Sequence, residues 1–317
     1  MKTQAVERGI DDYLATSRAR TDAVLAAWGR RLEGAWPPEV AAAVRYALLG
    51  SGKRLRPTLL FAAYEAVGGP ERGATGRGEG GGVADLAAAV EVVHAYSLVH
   101  DDLPCMDDDD LRRGRATTHR AFDVPTATRA GFYMVALAAR VLAEGMERLG
   151  LPLEWRREIA VALFRAAGAG GMIGGQCLDL EAEGRGGKLP REALEEVHQR
   201  KTGALIAASC VIGGLAAGPG VSAARIEALR GYGRAVGLAF QIADDVLDAT
   251  ATSDQLGKTA GKDAARAKST FVSLLGVGAA RAEAERLVAL AVDRLRDAGL
   301  VSPTLVQLAY YIVTRPN

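Results

Sequence analysis

The sequence predicts an all-α fold, and three observations support this class. Apolar residues recur at three- and four-residue spacing through most of the 317 residues, as they do along one face of a helix. Strand-like alternation is scarce, and only 11 prolines interrupt the chain. No shift in composition marks a linker and no internal repeat is present, so we expect a single helical domain over residues 1–317.

Each helix is predicted where the apolar spacing is sustained, and each loop where glycine accumulates. The stretches 68–82 and 184–187 are glycine-rich, and 253–268 is rich in glycine and lysine, so all three are predicted to be loops. In chain order, the predicted helices cover residues 11–33, 37–50, 56–67, 83–106, 124–149, 153–170, 190–217, 222–250, 277–297 and 302–314.

Composition and charge exclude several classes of function. Hydrophobic residues make up 49% of the chain, which suffices for a large core, and the formal net charge is +1. This balance gives no sign of a nucleic-acid-binding surface, and we find no local basic patch for a membrane surface. No apolar run approaches the roughly 18 residues of a membrane helix. We therefore expect no nucleic-acid partner and no membrane segment.

The cysteines and the N-terminus predict a cytoplasmic location. Cys105, Cys177 and Cys210 have neither paired nor metal-ligand spacing, so they are expected to be free thiols in a reducing compartment. The first residues are too polar for a signal peptide.

An acid-rich segment begins at Asp101 and holds six carboxylates in ten residues. Such a cluster repels itself unless a cation lies within it. Pro104 should break the helix near Leu103, so that Asp101, Asp102 and Asp107 converge around its distorted end. The alternative is an acidic surface loop.

A second acidic cluster lies in an apolar, helix-patterned segment. Gln241, Asp244 and Asp248 follow i, i+3, i+7 spacing and share one helix face. Carboxylates are costly in a buried helix unless they are paired or bound to metal. The alternative is a solvated acidic face. Oxygen ligands without His or Cys suit a hard cation, and Mg2+ is the usual choice where phosphates complete the shell.

Cationic side chains accompany both clusters. Arg112 and Arg113 are forked donors suited to phosphate oxygens, and the run GKRLRP at 52–57 contains three more cations. Alone, that run is more often a solvated basic turn, and the lysines at 201, 258, 262 and 268 are weak signals. His94, two helical turns before Asp101, is by itself more often a core or surface residue. Together the clusters predict a site where metal ions hold two diphosphates and assist the departure of one.

The sequence closely resembles the trans-isoprenyl diphosphate synthases, above all the bacterial farnesyl and geranylgeranyl diphosphate synthases. The resemblance runs from about Tyr46 to Arg315. The matching blocks are GKRLRP (52–57), VHAYSLVHDDLPCMDDDDLRRG (93–114), GMIGGQCLDL (171–180), KTG (201–203), FQIADDVLD (240–248), LGKTAGKD (256–263) and AKSTF (267–271). The resemblance implies an all-α fold of the isoprenoid synthase type around a deep cavity, and a homodimer.

The resemblance also implies the ligands and the residues that bind them. It implies three Mg2+ ions, two held by Asp101 and Asp107 with Asp102 nearby, and the third by Asp244. The allylic diphosphate contacts carry over onto Arg112, Lys201, Thr202, Gln241, Lys258 and Lys268. The isopentenyl diphosphate contacts carry over onto Lys53, Arg56, His94 and Arg113. The implied reaction is ionisation to an allylic cation, attack by the isopentenyl double bond, and proton loss to the departed diphosphate.

The chain departs from the family pattern at Phe132. The family usually has Ala-Gly-Asp-Ala-Leu where this chain has Ala-Gly-Phe-Tyr-Met at 130–134. A large aromatic thus replaces a carboxylate on a helix expected to pack near the cavity. Because no metal or diphosphate position is lost, we do not infer inactivity, but chain-length control and rate are put in doubt.

The residues before Asp101 bear on product length. Tyr96 lies roughly 7–8 Å along the helix from Asp101, and Ser97 lies one turn from it. The helical wheel does not force Tyr96 into the cavity; the resemblance places it at the floor, as in bacterial farnesyl-producing enzymes. The alternative is an ordinary core tyrosine.

The leading hypothesis is therefore a farnesyl diphosphate synthase with dimethylallyltranstransferase and geranyltranstransferase activity. A geranyl or geranylgeranyl diphosphate synthase is the alternative of the same fold. A terpene cyclase binds only one diphosphate, against which the cationic set argues. A non-catalytic prenyltransferase subunit should have lost acidic ligands, and both clusters are complete.

Overall fold

The computed structural model describes residues 2–69, 81–184, 189–250 and 269–314, and within them it confirms the all-α class. The strands in these residues are β1 (Leu111–Arg112) and β2 (Arg115–Ala116), an antiparallel pair with Leu111 opposite Ala116. The helices are α1 Lys2–Arg31, α2 Pro38–Leu48, α3 Leu55–Ala66, α4 Gly81–Asp101, α5 Thr118–Ala121, α6 Val124–Arg148, α7 Leu153–Ala167, α8 Met172–Gly184, α9 Arg191–His198, a π-helical segment Gln199–Gly203, α10 Ala204–Ala216, α11 Ala223–Thr250, α12 Phe271–Leu275, α13 Val277–Asp297 and α14 Pro303–Thr314.

The chain packs as two compact units, one formed by Met1–Phe61 and Gly69–Ala160 and the other by Ala62–Gly68 and Val161–Asn317. In the first unit α4 lies antiparallel to α6. Near the start of α4 the buried Asp85 accepts hydrogen bonds from Trp28 Nε1 at 3.2 Å and Arg148 Nη1 at 2.6 Å. The prediction of one domain is not tested by this division and stays a prediction.

We expected no apolar segment long enough for a membrane helix, and helix α4 corrects that expectation. Over an 18-residue window its mean hydropathy is 1.4, so by length and composition alone it is apolar enough to cross a membrane. However, 83% of that window is buried inside the protein. A helix that is apolar on all sides and covered by its neighbours is typical of a protein core.

In the second unit the long helix α11 packs between α10 and α13. Tyr232 in the middle of α11 is fully buried, and its hydroxyl donates to the carbonyl oxygen of Leu305 in α14 at 2.7 Å. This packing fixes the rotation of α11, which carries the second acidic cluster.

The predicted helix boundaries need four corrections. Helix α1 begins at Lys2 instead of residue 11, and α4 ends at Asp101, five residues before the predicted 106. The predicted helix 190–217 is divided by the π-helical segment Gln199–Gly203. Helices α5, α8 and α12 were not predicted. Most of the three predicted loops lies outside the described residues.

Candidate active site

The first acid-rich segment folds back on the end of α4. Three successive backbone bonds close the turn after Asp101: Leu103 N–H donates to the His100 carbonyl oxygen, Met106 N–H to that of Leu103, and Asp107 N–H to that of Asp101. The last of these spans 2.8 Å. Both Asp101 and Asp107 are partly exposed. The turn therefore returns Asp107 to the helix end that carries Asp101.

Asp102 has a different environment from its neighbours. It is 3% exposed, and both of its carboxylate oxygens accept hydrogen bonds from Arg112 Nε, at 2.7 and 3.0 Å. Burial raises the pKa of Asp102, and the Arg112 guanidinium opposes that rise. Asp102 and Arg112, predicted to contact metal and allylic diphosphate respectively, are thus partners of one another. Their direct roles stay predictions.

A basic cavity lies beside this turn in the first unit. The β-hairpin β1–β2 supplies Arg112, Arg113 and Arg115, and α4 supplies His94 and Glu91. Arg115 lies over the Tyr46 ring, 4.3 Å from its centroid, and Arg113 Nη1 donates to the Ser51 carbonyl oxygen at 2.6 Å. The hairpin thus holds its arginines against the turn that precedes α3.

Four predicted isopentenyl diphosphate residues lie in this unit: Lys53 is exposed, Arg56 is half-buried, His94 lines the cavity, and Arg113 is exposed. Desolvation lowers the pKa of His94 well below its ordinary value, and the positive charges of Arg56 and Arg113 lower it further. His94 is therefore neutral at physiological pH, with one ring nitrogen able to donate a hydrogen bond and the other able to accept one.

The predicted chain-length residues differ in their exposure. Tyr96 is 6% exposed, and its ring meets that of His100 edge to face with centroids 6.0 Å apart. Burial, and after it the Asp101 carboxylate, raises the pKa of Tyr96 to about 12. Ser97 is half-buried and its hydroxyl donates to the His94 carbonyl oxygen. Phe132, on α6, is 65% exposed, and its ring contacts that of His100 on α4, with centroids 5.4 Å apart.

In the second unit, the π-helical segment carries Lys201 and Thr202. Lys201 Nζ donates to Asp179 Oδ2 of α8 at 2.6 Å. The Thr202 hydroxyl donates to Gln241 Oε1 of α11 at 3.1 Å. These contacts bring together three of the predicted allylic diphosphate residues, but the predicted role of each remains untested.

The second acidic cluster lines a polar cavity in this unit. Asp179, Asp244 and Asp248 lie around it with Lys201 and Gln241. Asp245 is buried, and its Oδ2 accepts the Phe271 backbone N–H at 2.8 Å. Asp245 thereby anchors the start of α12, whereas Asp244, one residue earlier on α11, faces the cavity.

Several residues of the site were not predicted from sequence. Asp179 lies in the block GMIGGQCLDL, but a single carboxylate there gave no charge signal. Arg54 was grouped with the other cations of its run, and its partners Asp22 and Glu91 are distant in sequence. Lys258 and Lys268, two predicted allylic diphosphate residues, lie outside the described residues.

The donor chemistry of both acidic clusters fits Mg2+. Asp101, Asp107, Asp244 and Asp248 offer only carboxylate oxygens, which suit a hard cation. Within the described ranges, no three His, Cys, Asp or Glu side chains are grouped so that they could hold a metal ion by themselves. Mg2+ usually keeps several waters and binds through one or two carboxylates together with substrate phosphates. The residues therefore fit an ion whose binding depends on a diphosphate.

The all-α fold is that of the trans-prenyltransferases. The profile of the polyprenyl synthetase family matches residues 37–303. The chain belongs to the polyprenyl synthetase family, which confirms the resemblance seen in the sequence.

Three comparisons illustrate the relationship. The chain is 42% identical over 284 residues to geranylgeranyl pyrophosphate synthase 12, chloroplastic, of Arabidopsis thaliana, covering 89% of this chain and 75% of the relative. It superposes on the apo structure of an FPP/GFPP synthase from Zymomonas mobilis with a TM-score of 0.81 and 34% identity, over 96% of this chain and 99% of that one. It superposes on the Helicobacter pylori geranyltransferase complexed with magnesium and isoprenyl diphosphate with a TM-score of 0.75 and 29% identity, over 95% and 96% of the two chains.

Proposed function

We propose that this chain is a Mg2+-dependent prenyltransferase that condenses isopentenyl diphosphate with allylic diphosphates and makes mainly farnesyl diphosphate. Family membership supports the reaction, and the Helicobacter pylori relative binds magnesium and isoprenyl diphosphate. The observation that carries the product assignment is Tyr96, a large side chain that is 6% exposed on α4, five residues before Asp101.

Asp101 and Asp107 in the first unit and Asp244 in the second are the proposed Mg2+ ligands, with three ions when substrate is bound. Bound Mg2+ would neutralise negative charge that develops on the departing diphosphate. Asp102 is proposed to act mainly through Arg112, because both of its oxygens already accept N–H groups from that side chain.

The two substrates are proposed to use different side chains. Lys53, Arg56, His94 and Arg113 bind isopentenyl diphosphate, and none of them is a carboxylate that would recruit a metal. Arg112, Lys201, Thr202 and Gln241 contact the allylic diphosphate, as do Lys258 and Lys268. The hydroxyl-to-amide bond between Thr202 and Gln241 orients both side chains before substrate arrives. Neutral His94 adds a hydrogen bond without adding charge.

No side-chain general base is assigned to the final proton loss. The carboxylates that face the cavity of the second unit are proposed to hold metal, and Lys201 is paired with Asp179. A protonated lysine and metal-bound carboxylates are poor proton acceptors. We therefore assign the proton to the departed diphosphate, as the family resemblance implies.

Geranylgeranyl diphosphate is the second candidate product. A specific observation favours it, because the chain is 42% identical to an enzyme named geranylgeranyl pyrophosphate synthase. The discriminating experiment incubates the purified chain with dimethylallyl and isopentenyl diphosphates and Mg2+, then separates the dephosphorylated products by chromatography. Farnesol as the main product supports the proposal. Geranylgeraniol overturns the product assignment, and no Mg2+-dependent product overturns the reaction.

The chain is further proposed to be a single-domain cytoplasmic homodimer. Its three cysteines are free, which suits a reducing compartment. The outward side of α6 exposes Phe132 and Val135 together with alanines 136, 139 and 143. Small residues let a second helix approach closely, so a second copy of the chain could pack here. Sedimentation of the full chain tests the dimer.

A further inference from the structure

Arg54 lies in the cationic run before α3 but faces the protein interior. Its side chain is 4% exposed and makes four hydrogen bonds within the first unit. Nε donates to Asp22 Oδ1 and Nη1 to Glu91 Oε1, each at 2.8 Å. Nη2 donates to the carbonyl oxygens of Leu48 and Gly50, each at 2.9 Å. Because a guanidinium has five N–H donors, these bonds leave little capacity for a phosphate.

The two carbonyl bonds fix the backbone between α2 and α3. Leu48 is the last residue of α2, and Gly50 lies in the turn that leads to α3 at Leu55. Arg54 itself has a φ of +49°, in the left-handed region that side chains other than glycine seldom adopt. The guanidinium contacts hold the residue there. Lys53 immediately precedes Arg54. It therefore lies in a turn whose backbone is fixed by the bonds from Arg54 to Leu48 and Gly50.

The same turn also contacts Arg113 of the β-hairpin. Arg113 Nη1 donates to the Ser51 carbonyl oxygen at 2.6 Å. A Cβ on Gly52 would lie 2.6 Å from that nitrogen and 3.2 Å from Arg54 Nη1, so a larger residue would displace the Arg113 guanidinium. Any movement of the turn would thus displace Lys53 and Arg113 together.

The carboxylates around Arg54 also determine where positive charge remains available. Glu91 is 3% exposed and the Asp22 side chain is 38% exposed, and both pair with Arg54. Their charges offset that of Arg54 and reduce its repulsion of Arg113. Lys53, Arg56 and Arg113 are the cations proposed to attract the diphosphate.

We infer that Arg54 is a positioning residue for isopentenyl diphosphate recognition. Its guanidinium bonds Asp22, Glu91 and the turn after α2, and these bonds hold Lys53 and Arg113 in place. Arg54 does not bind the diphosphate itself. The inference rests on the proposed function, in which Lys53 and Arg113 bind that diphosphate. In this proposal the run at 52–57 contains two diphosphate ligands, Lys53 and Arg56, and one positioning residue, Arg54.

The test uses two conservative variants of the full chain. Arg54→Lys keeps the charge but replaces a fork with a single ammonium, which cannot reach all four acceptors. Glu91→Gln keeps the size and an acceptor oxygen but frees the Arg54 charge. For each variant we expect KM for isopentenyl diphosphate to rise about tenfold, while KM for the allylic substrate and kcat change less than about threefold. Calorimetric titration of isopentenyl diphosphate without Mg2+ should show the same weakening.

Glu91→Gln separates positioning from direct binding. If Arg54 were a ligand, freeing its charge would leave KM for isopentenyl diphosphate unchanged or lower it, and either result overturns the inference. The matched control is Arg18→Lys, because Arg18 also pairs with Asp22 but at an exposed position, and lysine keeps the positive charge that acts on Arg113. Equal weakening by the control, or parallel changes in both KM values, would also overturn it.

Failure of the proposed function would look different. If Lys53→Ala and Arg113→Ala leave KM for isopentenyl diphosphate unchanged, the assignment of that subsite is wrong. If those two variants raise it but Arg54→Lys and Glu91→Gln do not, only the positioning role is wrong. Circular dichroism and melting temperature at the assay pH establish that each variant is folded.

Discussion

The backbone N–H of Asp107 donates to the carbonyl oxygen of Asp101 at 2.8 Å. This bond closes the turn after α4, and it places the two proposed metal ligands on the same helix end although five residues separate them. Pro104 lies in the turn, where its missing N–H removes a helical hydrogen bond. Because a backbone hydrogen bond joins the two proposed ligand residues, the folded chain sets the distance between them before an ion binds.

We expect Asp101→Ala, Asp107→Ala and Asp244→Ala each to lower kcat by about a thousandfold or more, because metal clamps contribute several kcal/mol of transition-state stabilisation. The melting temperature without Mg2+ should be unchanged or higher, since each change relieves repulsion among carboxylates. The matched control is Asp110→Ala. Asp110 is exposed in the same acid-rich segment and its side chain pairs with exposed Arg120, so its loss should leave kcat near the parent value.

Turnover near the parent value in all three acid variants at saturating Mg2+ would refute the metal assignment. A large loss in Asp110→Ala would instead mean that total negative charge, and not the position of particular carboxylates, controls activity. Both readings come from the same initial-rate assay.

The pair of Asp102 and Arg112 gives a prediction about stability. Arg112→Ala leaves the carboxylate of Asp102, 3% exposed, without the guanidinium that bonds both of its oxygens. Removing one partner of a buried pair costs about 3–5 kcal/mol, and because the Arg112 side chain is 32% exposed we expect the low end of that range. Replacing both partners, with Asp102→Asn and Arg112→Gln, should cost less than the single change. Urea unfolding measures the difference.

Arg120→Ala is the control for the pair, because Arg120 and Asp110 are both exposed and such pairs contribute about 0–1 kcal/mol. A cost for Arg112→Ala no larger than that of Arg120→Ala would mean that Asp102 is protonated or hydrated when alone. The double change would then give no recovery.

The sequence predicted the long regular helices well, for identifiable physical reasons. Helix α6 was predicted at 124–149 and is observed at Val124–Arg148; the Asp123 side chain accepts the Thr126 N–H at its start, and Pro125 suits the first turn. Helices α11 and α13 likewise match their apolar spacing. These elements carry their start and stop signals in their own residues.

The second unit shows why other elements escaped prediction. Helix α8 contains Gly174 and Gly175, and glycine costs about 1 kcal/mol per helical position. Packing explains its presence: a Cβ on Gly175 would lie 2.2 Å from the backbone nitrogen of Lys201, so the glycine allows α8 to approach the π-helical segment. This contact joins residues that are distant in sequence, so neither α8 nor the π-helical segment could be predicted from its own residues. The pairing of Arg54 with Glu91 was hidden for a similar reason, because the partners are 37 residues apart.

His94 gives a prediction for pH. Its folded-state pKa lies well below the ordinary value, through desolvation and the nearby arginines. As pH falls through about 6.5, the unfolded chain binds a proton on this histidine that the folded chain does not, so unfolding becomes easier by up to about 1.4 kcal/mol for each pH unit. His94→Gln should remove that contribution. The measurement is urea unfolding of both chains at pH 7.5 and 5.5, conditions chosen to lie about one unit either side of the ordinary value.

The parent chain should lose more stability than His94→Gln between the two pH values. The control is His119→Gln, the same substitution at a buried histidine of the same unit that bonds the Thr117 hydroxyl. An identical pH dependence in the parent and His94→Gln would show that folding does not lower the pKa of His94.

The division into two substrate subsites gives a kinetic prediction. Lys53→Ala and Arg113→Ala should raise KM for isopentenyl diphosphate more than KM for the allylic substrate. In our proposal the homoallylic diphosphate has no metal of its own, and each charge-assisted hydrogen bond contributes about 1.5–3 kcal/mol. Lys201→Ala is the comparison, since it should affect mainly the allylic substrate. Equal effects on both substrates in all three variants would refute the division.

Product length gives the last prediction, which concerns Tyr96. Tyr96→Ala should shift the main product from farnesyl diphosphate to geranylgeranyl diphosphate or longer. The change removes an aromatic ring that is 6% exposed on the helix leading to Asp101, and each further methylene of product buried in the space gains about 0.8 kcal/mol. Turnover should survive, because Tyr96 lies roughly 7–8 Å along the helix from Asp101. Chromatography of the dephosphorylated products gives the distribution.

Phe132→Ala and the double variant complete the experiment. Phe132 is 65% exposed and contacts the same His100 ring that Tyr96 contacts, so we expect its removal to alter the product far less than Tyr96→Ala. A shift in Phe132→Ala but not in Tyr96→Ala would mean that Tyr96 is ordinary core and that Phe132 limits the chain. If the parent enzyme already releases geranylgeranyl diphosphate, the tyrosine does not stop elongation at farnesyl diphosphate. Tyr96→Ala would then have to lengthen that product further for the residue to bound the cavity at all.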